Sequence, residues 1–141
     1  MVVMLMSKDE QLQEILSFYP EIIAVYLFGS YLKDTEQARD IDLAVLTSQI
    51  TGTVNLYMEL YPRLAEIFSP LEVDLLFLQN ATLPVTFEVI YTGKVVYCSD
   101  DDKRTDYEYV ISGRYMDFKY HLDIGQKELY EAIKEGVNIY V

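Results

Sequence analysis

The chain has 141 residues, one cysteine and a formal net charge of −12, from 11 basic and 23 acidic residues. This length suits one domain with a sizeable core, so we expect residues 1–141 to form a single domain. The acidic excess disfavours free nucleic acid as a partner, because phosphate binding requires clustered lysine and arginine. A basic protein partner and simple solubility explain the charge equally well. One cysteine cannot form an internal disulfide, and we expect a reducing cytoplasm.

The first predicted element is a helix near the N-terminus. Ser7 to Glu10 have the form of a capping box, and Pro20 ends the helical pattern. The six residues before it, Met1–Met6, are apolar but lack a basic leader, so we expect no signal peptide. No apolar run reaches the length of a membrane span, and we expect no membrane partner. The apolar positions at helical spacing are Leu12, Ile15, Leu16 and Tyr19.

Two apolar runs follow, and each contains or leads into residues of the types found in catalytic and binding sites. The run from Ile22 to Phe28 leads into Gly29-Ser30, and a second run begins with Asp40-Ile41-Asp42. Side chains at i and i+2 of a strand point to one face, so the two aspartates share a face. Carboxylates on an apolar strand are costly to bury unless something neutralises them. Mg²⁺ prefers oxygen ligands and often binds one or two carboxylates plus substrate phosphates, so the pattern predicts a Mg²⁺ site.

A third carboxylate, Asp74, lies within the apolar run from Leu71 to Leu78, which we predict to be a buried strand. Three aspartates on adjacent strands can hold two metal ions for in-line phosphoryl or nucleotidyl transfer. Gly29 would let the backbone approach phosphates closely, and Ser30 would cap a short helix over 31–37 and bind a phosphate. Taken singly, each feature is more often a turn, a cap or a strand end; their order along the chain favours a site.

The remaining pattern predicts helices alternating with one more strand. Val54–Phe68 reads as a helix that Pro62 kinks or restarts. A short helix, Leu83–Ile90, leads through Gly93 to a last strand over 94–97. The segment Ser99-Asp100-Asp101-Asp102 then begins a long C-terminal helix, which Gly125 weakens or breaks. Tyrosines are frequent in this tail, which favours a protein interface on one face and packing on the other.

These motifs, in this order, resemble the minimal nucleotidyltransferase family of the polymerase β-like superfamily. The family pattern is a strand, Gly-Ser, Asp-x-Asp and a later strand Asp; here nine residues separate Ser30 from Asp40, one fewer than is common. The segment Tyr115-Met116-Asp117-Phe118 is similar to a stretch in the C-terminal helix of MntA-type antitoxins, the partners of HEPN-domain toxins.

The resemblance implies an α/β fold, with a small mixed sheet flanked by helices and a C-terminal helical tail over about 101–135. It implies an antitoxin that transfers AMP from ATP, with Mg²⁺, to a tyrosine hydroxyl of a cognate HEPN toxin in a hetero-oligomer. Asp40, Asp42 and Asp74 would hold the metals and act in catalysis, and Gly29 with Ser30 would seat the phosphates. Arg39 would contact the triphosphate, or only balance local charge.

Two alternatives to this activity remain open. The same fold could be a non-catalytic module that neutralises the toxin by occlusion, its acidic face covering a basic RNase site. It could also modify a small molecule such as an antibiotic, although 141 residues look few for an added substrate-binding domain.

Overall fold

The computed structural model describes residues 7–49 and 51–136. Helices and strands alternate along the described chain, and a short 3₁₀ turn, Leu78–Asn80, lies between β3 and α4. None of the helices in these residues is both long and apolar enough to cross a membrane. The elements are α1 (Lys8–Ser17), β1 (Ile22–Phe28), α2 (Ser30–Lys33), β2 (Asp40–Thr47), α3 (Thr53–Phe68), β3 (Glu72–Phe77), α4 (Leu83–Thr92), β4 (Lys94–Cys98) and α5 (Asp101–Lys134).

The four strands form one mixed sheet in the order β3-β2-β1-β4. β1 is antiparallel to β2 and to β4, whereas β2 and β3 are parallel. The last residues of β1 therefore lie beside the first residues of the other three strands. Phe28 pairs with Asp42, and Leu27 pairs with Lys94. We call this edge of the sheet the carboxylate end. The mixed sheet with flanking helices confirms the predicted fold class.

The two faces of the sheet are buried by different helices, and strand alternation decides which residue goes to which face. Ile41, Leu43 and Val45 pack in the cluster that includes residues of α1 and α3. Ala44 and Leu46 belong to a second cluster, with Val89 of α4 and Tyr107 of α5 against it. Asp40 and Asp42 fall on this second face. The predicted separation of carboxylates from the larger apolar side chains is thus confirmed.

α1 and α3 follow their sequence signals, with one difference. The backbone N–H of Glu10 donates to the Ser7 hydroxyl at 3.1 Å, which caps α1 as predicted. α3 continues through Pro62 without restarting. Pro62 lies on the exposed side of α3, where water can satisfy the carbonyl left without a donor. The buried face of α3 is provided by Leu56, Leu60, Leu64, Ile67 and Phe68.

α5 is the longest helix, at 34 residues or about 51 Å. Asp100 caps it by accepting from the backbone N–H of Lys103 at 3.1 Å. The helix is unbroken at Gly125, so the predicted break is wrong: nothing lies near this glycine to favour another conformation. From Met116 to Gly136 every side chain except Ala132 is exposed. We call residues 119–134 the distal arm.

Candidate active site

Gly29 forms the turn at the carboxylate end, between the last residue of β1 and α2. Its φ of +81° favours glycine, because L side chains rarely adopt this conformation. A Cβ at this position would collide with the carboxylate of Asp42. The backbone of the turn therefore lies directly against the Asp42 side chain. This close approach is the structural reason for a glycine here.

Asp42 and Asp74 are cross-strand neighbours on β2 and β3. Asp40, two residues before Asp42 on β2, pairs with Glu72. Asp40 and Asp42 are half-buried, whereas Asp74 is exposed. The prediction of a buried third strand is wrong, because β3 is the edge of the sheet and only Val73 and Phe77 are buried. The apolar run in the sequence does not distinguish an edge strand covered on one face from a central one.

The electrostatics of this cluster are those of carboxylates held close together. Burial raises the pKa of the Asp42 carboxyl above its usual range, and a hydrogen bond with the Asp74 side chain acts in the same direction. The negative charges of Asp74 and Asp40 raise this pKa further. A cation placed among these oxygens would relieve the repulsion.

The donor set fits a hard divalent cation that shares its coordination with phosphates. In residues 7–49 and 51–136, no group of three or more His, Cys, Asp or Glu side chains is placed so that it could hold a metal ion by itself. Mg²⁺ does not require such a group, since it is commonly bound by one or two carboxylates together with substrate phosphates. Asp42, with Asp74 and Asp40 beside it, provides carboxylate oxygens of this kind. Metal ligation by these three residues stays a prediction.

Ser30 and Arg39 border the carboxylates from two sides. α2 spans only Ser30–Lys33, shorter than the predicted 31–37, and its N-cap is Gly29. Ser30 is thus the first helical residue and not the cap, so that expectation is wrong; its side chain is exposed. Arg39 is exposed in a hollow of about 560 Å³ between the starts of β2 and β3, with Asp40 and Glu72 in the lining. No ion pair holds its guanidinium in the described part of the chain.

A row of aromatic side chains lies between α4 and α5; the sequence motifs include two of its members, Tyr115 and Phe118, but not the other two. Phe87 stacks on Tyr115 with ring centroids 4.0 Å apart and planes within 8°. Tyr91 stacks on Phe87 at 5.7 Å and 13°, and Phe118 contacts Tyr115 at 6.3 Å. We call these four residues the aromatic row. Its sequence signals are the i, i+4 spacing of Phe87 and Tyr91 and the i, i+3 spacing of Tyr115 and Phe118.

A mixed sheet with aspartates beside a Gly-Ser turn is the architecture of a nucleotidyl-transfer domain. The family profile of polymerase beta nucleotidyltransferases matches residues 10–102, and the chain belongs to this family. The chain is also 32% identical over 84 residues to the protein adenylyltransferase MntA of Shewanella oneidensis. That match spans 59% of this chain and 59% of the relative.

Solved structures share the fold over nearly the whole chain. A toxin–antitoxin structure with AMP-PNP aligns with a TM-score of 0.63 at 23% identity, over 89% of this chain and 98% of that one. The complex of a tri-AMPylated Shewanella oneidensis HEPN toxin with its MNT antitoxin aligns with a TM-score of 0.60 at 23% identity. That alignment covers 90% of this chain and 96% of the other. At this identity the likeness establishes the fold.

Proposed function

We propose that the protein is an antitoxin that transfers AMP from ATP, with Mg²⁺, to a tyrosine hydroxyl of a cognate HEPN-type RNase toxin and thereby inactivates it. The observation that carries the proposal is the contact of the Gly29 turn with Asp42, which itself neighbours Asp74. This contact brings a phosphate-binding type of turn and a carboxylate pair to one place. The kinship with a protein adenylyltransferase named MntA supports the same activity.

The proposed reaction is an in-line displacement at the α-phosphorus of ATP. The tyrosine oxygen of the acceptor forms a bond to this phosphorus, and the bond to the bridging oxygen of the β-phosphate breaks. AMP stays on the acceptor, and pyrophosphate leaves. The hydroxyl proton passes to a carboxylate, for which Asp74 is best placed because it is exposed at the sheet edge. A tyrosine hydroxyl has a pKa of about 10, so it needs such assistance at neutral pH.

The other site residues bind and orient the nucleotide. Asp40 and Asp42, with Asp74, would hold Mg²⁺, which supplies positive charge opposite the charge that develops on the transferred phosphoryl group. The backbone of Gly29 and the hydroxyl of Ser30 would contact the outer phosphates. Arg39 is exposed beside Asp40 and is available to the triphosphate. Asp42, packed under the Gly29 turn, links the phosphate contacts to the metal ligands.

The distal arm is the proposed docking element for the toxin. α5 begins at the end of the sheet opposite the carboxylates; Tyr107 lies near Ile23 there, and Glu108 accepts a hydrogen bond from Tyr26 farther along β1. The helix therefore advances towards the carboxylate end, and the arm leaves the protein on that side. The apolar side chains exposed on it are Tyr120, Leu122, Ile124, Leu129, Tyr130 and Ile133.

The charge distribution agrees with an apolar contact between the arm and the toxin, and with electrostatic attraction between the toxin and the acidic remainder of the chain. The arm carries three lysines and three acids, so its net charge is zero, and the −12 of the chain resides outside it. Exposed apolar surface of this extent usually marks an interaction site. A toxin bound there would form the expected hetero-oligomer and would stand in front of the carboxylates. Docking raises the effective concentration of the acceptor hydroxyl.

Neutralisation by occlusion remains a second candidate function. A toxin bound to the arm would have part of its surface covered whether or not AMP is transferred. The test is to incubate the protein with Mg²⁺, ATP labelled at the α-phosphate, and the HEPN protein encoded beside it. We expect label on the HEPN protein and a mass increase of whole AMP units. A bound but unlabelled toxin would leave occlusion as the function. Label on an antibiotic, in a parallel incubation with the antibiotic in place of the HEPN protein, would favour the small-molecule alternative.

A further inference from the structure

The aromatic row extends from a buried contact to an exposed ring, and helix packing accounts for only part of it. Phe87 and Tyr115 are half-buried between α4 and α5, as residues of a helix interface should be. Tyr91 continues the row but is 79% exposed. An exposed tyrosine whose ring is already fixed against a second ring offers a flat surface with little rotamer freedom left to lose.

The direction of α4 brings this surface to the carboxylate end. α4 leads from the far end of β3 to the start of β4, so it runs towards the carboxylate end, and Tyr91 lies in its last turn. A Cβ at Gly93 would lie 3.2 Å from the carbonyl oxygen of Leu27, two residues before Gly29. Ile90, next to Tyr91, packs in the same cluster as Phe28, the cross-strand partner of Asp42. The last turn of α4, which carries Tyr91, therefore lies at the carboxylate end, on the helix that covers the carboxylate face.

The order of strands separates Tyr91 from Asp74, the carboxylate assigned to the acceptor hydroxyl. Asp74 lies on β3 at one edge of the sheet, whereas α4 ends above β1 and β4 at the other. The Gly29 turn, at the end of β1, lies between them. A nucleotide with its phosphates at Gly29 thus has Asp74 on one side and Tyr91 on the other. The acceptor hydroxyl needs the Asp74 side, which leaves the Tyr91 side for the base of the nucleotide.

We infer that Tyr91, supported by Phe87 and Tyr115, is a stacking surface for the purine base of the donor nucleotide. Base-on-aromatic stacking requires a free ring face, and every base has one, while purines offer the larger overlap. The inference rests on the proposed function for the identity of the donor. It adds a residue that would set the preference among nucleotides, which the carboxylates and the Gly-Ser turn cannot do because they contact only phosphates and metal.

The test measures nucleotide binding by calorimetry with the full chain and Mg²⁺, in the absence of the toxin. The ligands are ATP, CTP and inorganic tripolyphosphate, which has phosphates but no base. Tyr91→Leu removes the ring and keeps an apolar side chain, and Tyr91→Trp keeps a stacking ring. Tyr109→Leu is the matched control, since Tyr109 is 83% exposed on α5 and outside the aromatic row. Circular dichroism checks that each variant folds.

We expect the native chain to bind ATP more tightly than CTP. Tyr91→Leu should weaken ATP binding about tenfold and leave tripolyphosphate binding unchanged, while Tyr91→Trp and Tyr109→Leu should bind ATP as the native chain does. Equal weakening of ATP and tripolyphosphate, or an ATP affinity within twofold of native in Tyr91→Leu, would overturn the inference. The inference would also be overturned if the native chain bound ATP no more tightly than tripolyphosphate.

The two proposals fail separately. AMP transfer by a Tyr91→Leu variant with native ATP affinity leaves the function standing and removes the stacking surface. Base-dependent ATP binding through Tyr91, without any transfer to a HEPN protein, leaves the stacking surface standing and removes the function.

Discussion

Gly29 is the residue at which the backbone and a carboxylate of the site meet, and its substitution tests that contact. Gly29→Ala would place a methyl group into the Asp42 carboxylate at a φ of +81°. We expect AMP transfer to fall at least about 100-fold, because small displacements of reacting groups are costly. Gly52→Ala is the control: its φ is +83°, but nothing lies within 4 Å of the added Cβ. It should cost about 1–2 kcal/mol of stability from backbone strain alone, with transfer unchanged. Equal transfer by both variants in the label assay would contradict the assignment of the turn.

The raised pKa of Asp42 makes a distinct prediction about stability and activity. Burial and the adjacent Asp74 and Asp40 charges make the ionised carboxyl unfavourable in the folded state. The sign follows from linkage: a carboxyl with a raised folded pKa is bound to its proton more tightly in the folded chain, so its ionisation destabilises the fold as the pH rises. Asp42→Asn should therefore unfold at the same or a higher temperature than the native chain.

The same substitution should lower AMP transfer at least about 100-fold, because an amide cannot supply the negative charge that a metal ion needs. Asp40→Asn should behave alike. Asp123→Asn, on the exposed distal arm, is the matched control. The measurements are thermal unfolding by circular dichroism and transfer of labelled AMP. Undiminished labelling by Asp42→Asn would remove this residue from the site.

At the scale of elements, the sequence patterns predicted those features that depend on local chemistry. The alternation of aspartates with Ile41 and Leu43 predicted which side of β2 is apolar, and the Ser7 and Asp100 caps marked two helix starts. Patterns failed where the outcome depends on distant contacts. The edge position of β3 follows from the order in which the strands pair. The helix α5 continues through Gly125 because no other part of the described chain lies near this residue to favour another conformation.

The candidate site shows the same division. The carboxylates and the Gly-Ser turn were visible because each motif is contiguous in sequence. Their arrangement was not visible: only the antiparallel register puts Phe28 opposite Asp42, and only this register explains why residue 29 lacks a side chain. The aromatic row was not predicted as a unit because Phe87 and Tyr115 come from two different helices, on either side of β4. No local pattern joins them.

The link between the sheet and α5 is a partly buried hydrogen-bond network, and it predicts a loss of stability at alkaline pH. The Tyr26 hydroxyl donates to Glu108 at 2.7 Å, and Arg104 donates to the same carboxylate oxygen at 2.9 Å. Burial, and then the hydrogen bond and charge of Glu108, raise the pKa of Tyr26 strongly. Its contribution to stability is fully present below the unfolded pKa of about 10 and is lost as the pH rises towards the folded pKa.

Tyr26→Phe should remove this titration at a cost of about 1 kcal/mol at neutral pH from the lost hydrogen bond. Urea unfolding between pH 7 and 11 should show a shallower decline above pH 10 in the variant than in the native chain. Some decline should remain, since burial also raises the pKa of Tyr19 and Tyr107. Tyr109→Phe, at an exposed position, should follow the native curve. Parallel curves for Tyr26→Phe and the native chain would exclude Tyr26 as a cause of alkaline unfolding.

At the scale of the whole molecule, the body carries the charge and the distal arm carries the exposed apolar surface. The double variant Leu122→Asp, Leu129→Asp places two charges on the arm, where both leucines are exposed. The fold should be retained, because every side chain of the arm except Ala132 is exposed. We expect binding to the HEPN partner to weaken at least about 30-fold, since charge in the centre of an apolar interface is poorly tolerated. Glu131→Gln, on the same arm, is the control. Binding of the toxin with native affinity, measured by calorimetry, would place the interface elsewhere.

The separation of arm from carboxylates also makes catalysis and occlusion distinguishable. If silencing is covalent, a toxin treated once with the protein and ATP should stay inactive as an RNase after the two are separated, and it should carry added mass on a tyrosine. If silencing is occlusion, RNase activity should return on separation, and Asp42→Asn should neutralise the toxin as well as the native chain does.

The arm variant and the carboxylate variant act on different steps. The arm variant should abolish both covalent silencing and occlusion, whereas Asp42→Asn should abolish only covalent silencing. We expect Asp42→Asn to bind the toxin with native affinity yet release it active, because its docking surface is intact and its site cannot transfer AMP. Durable inactivation by this variant would leave the carboxylates without a role in silencing.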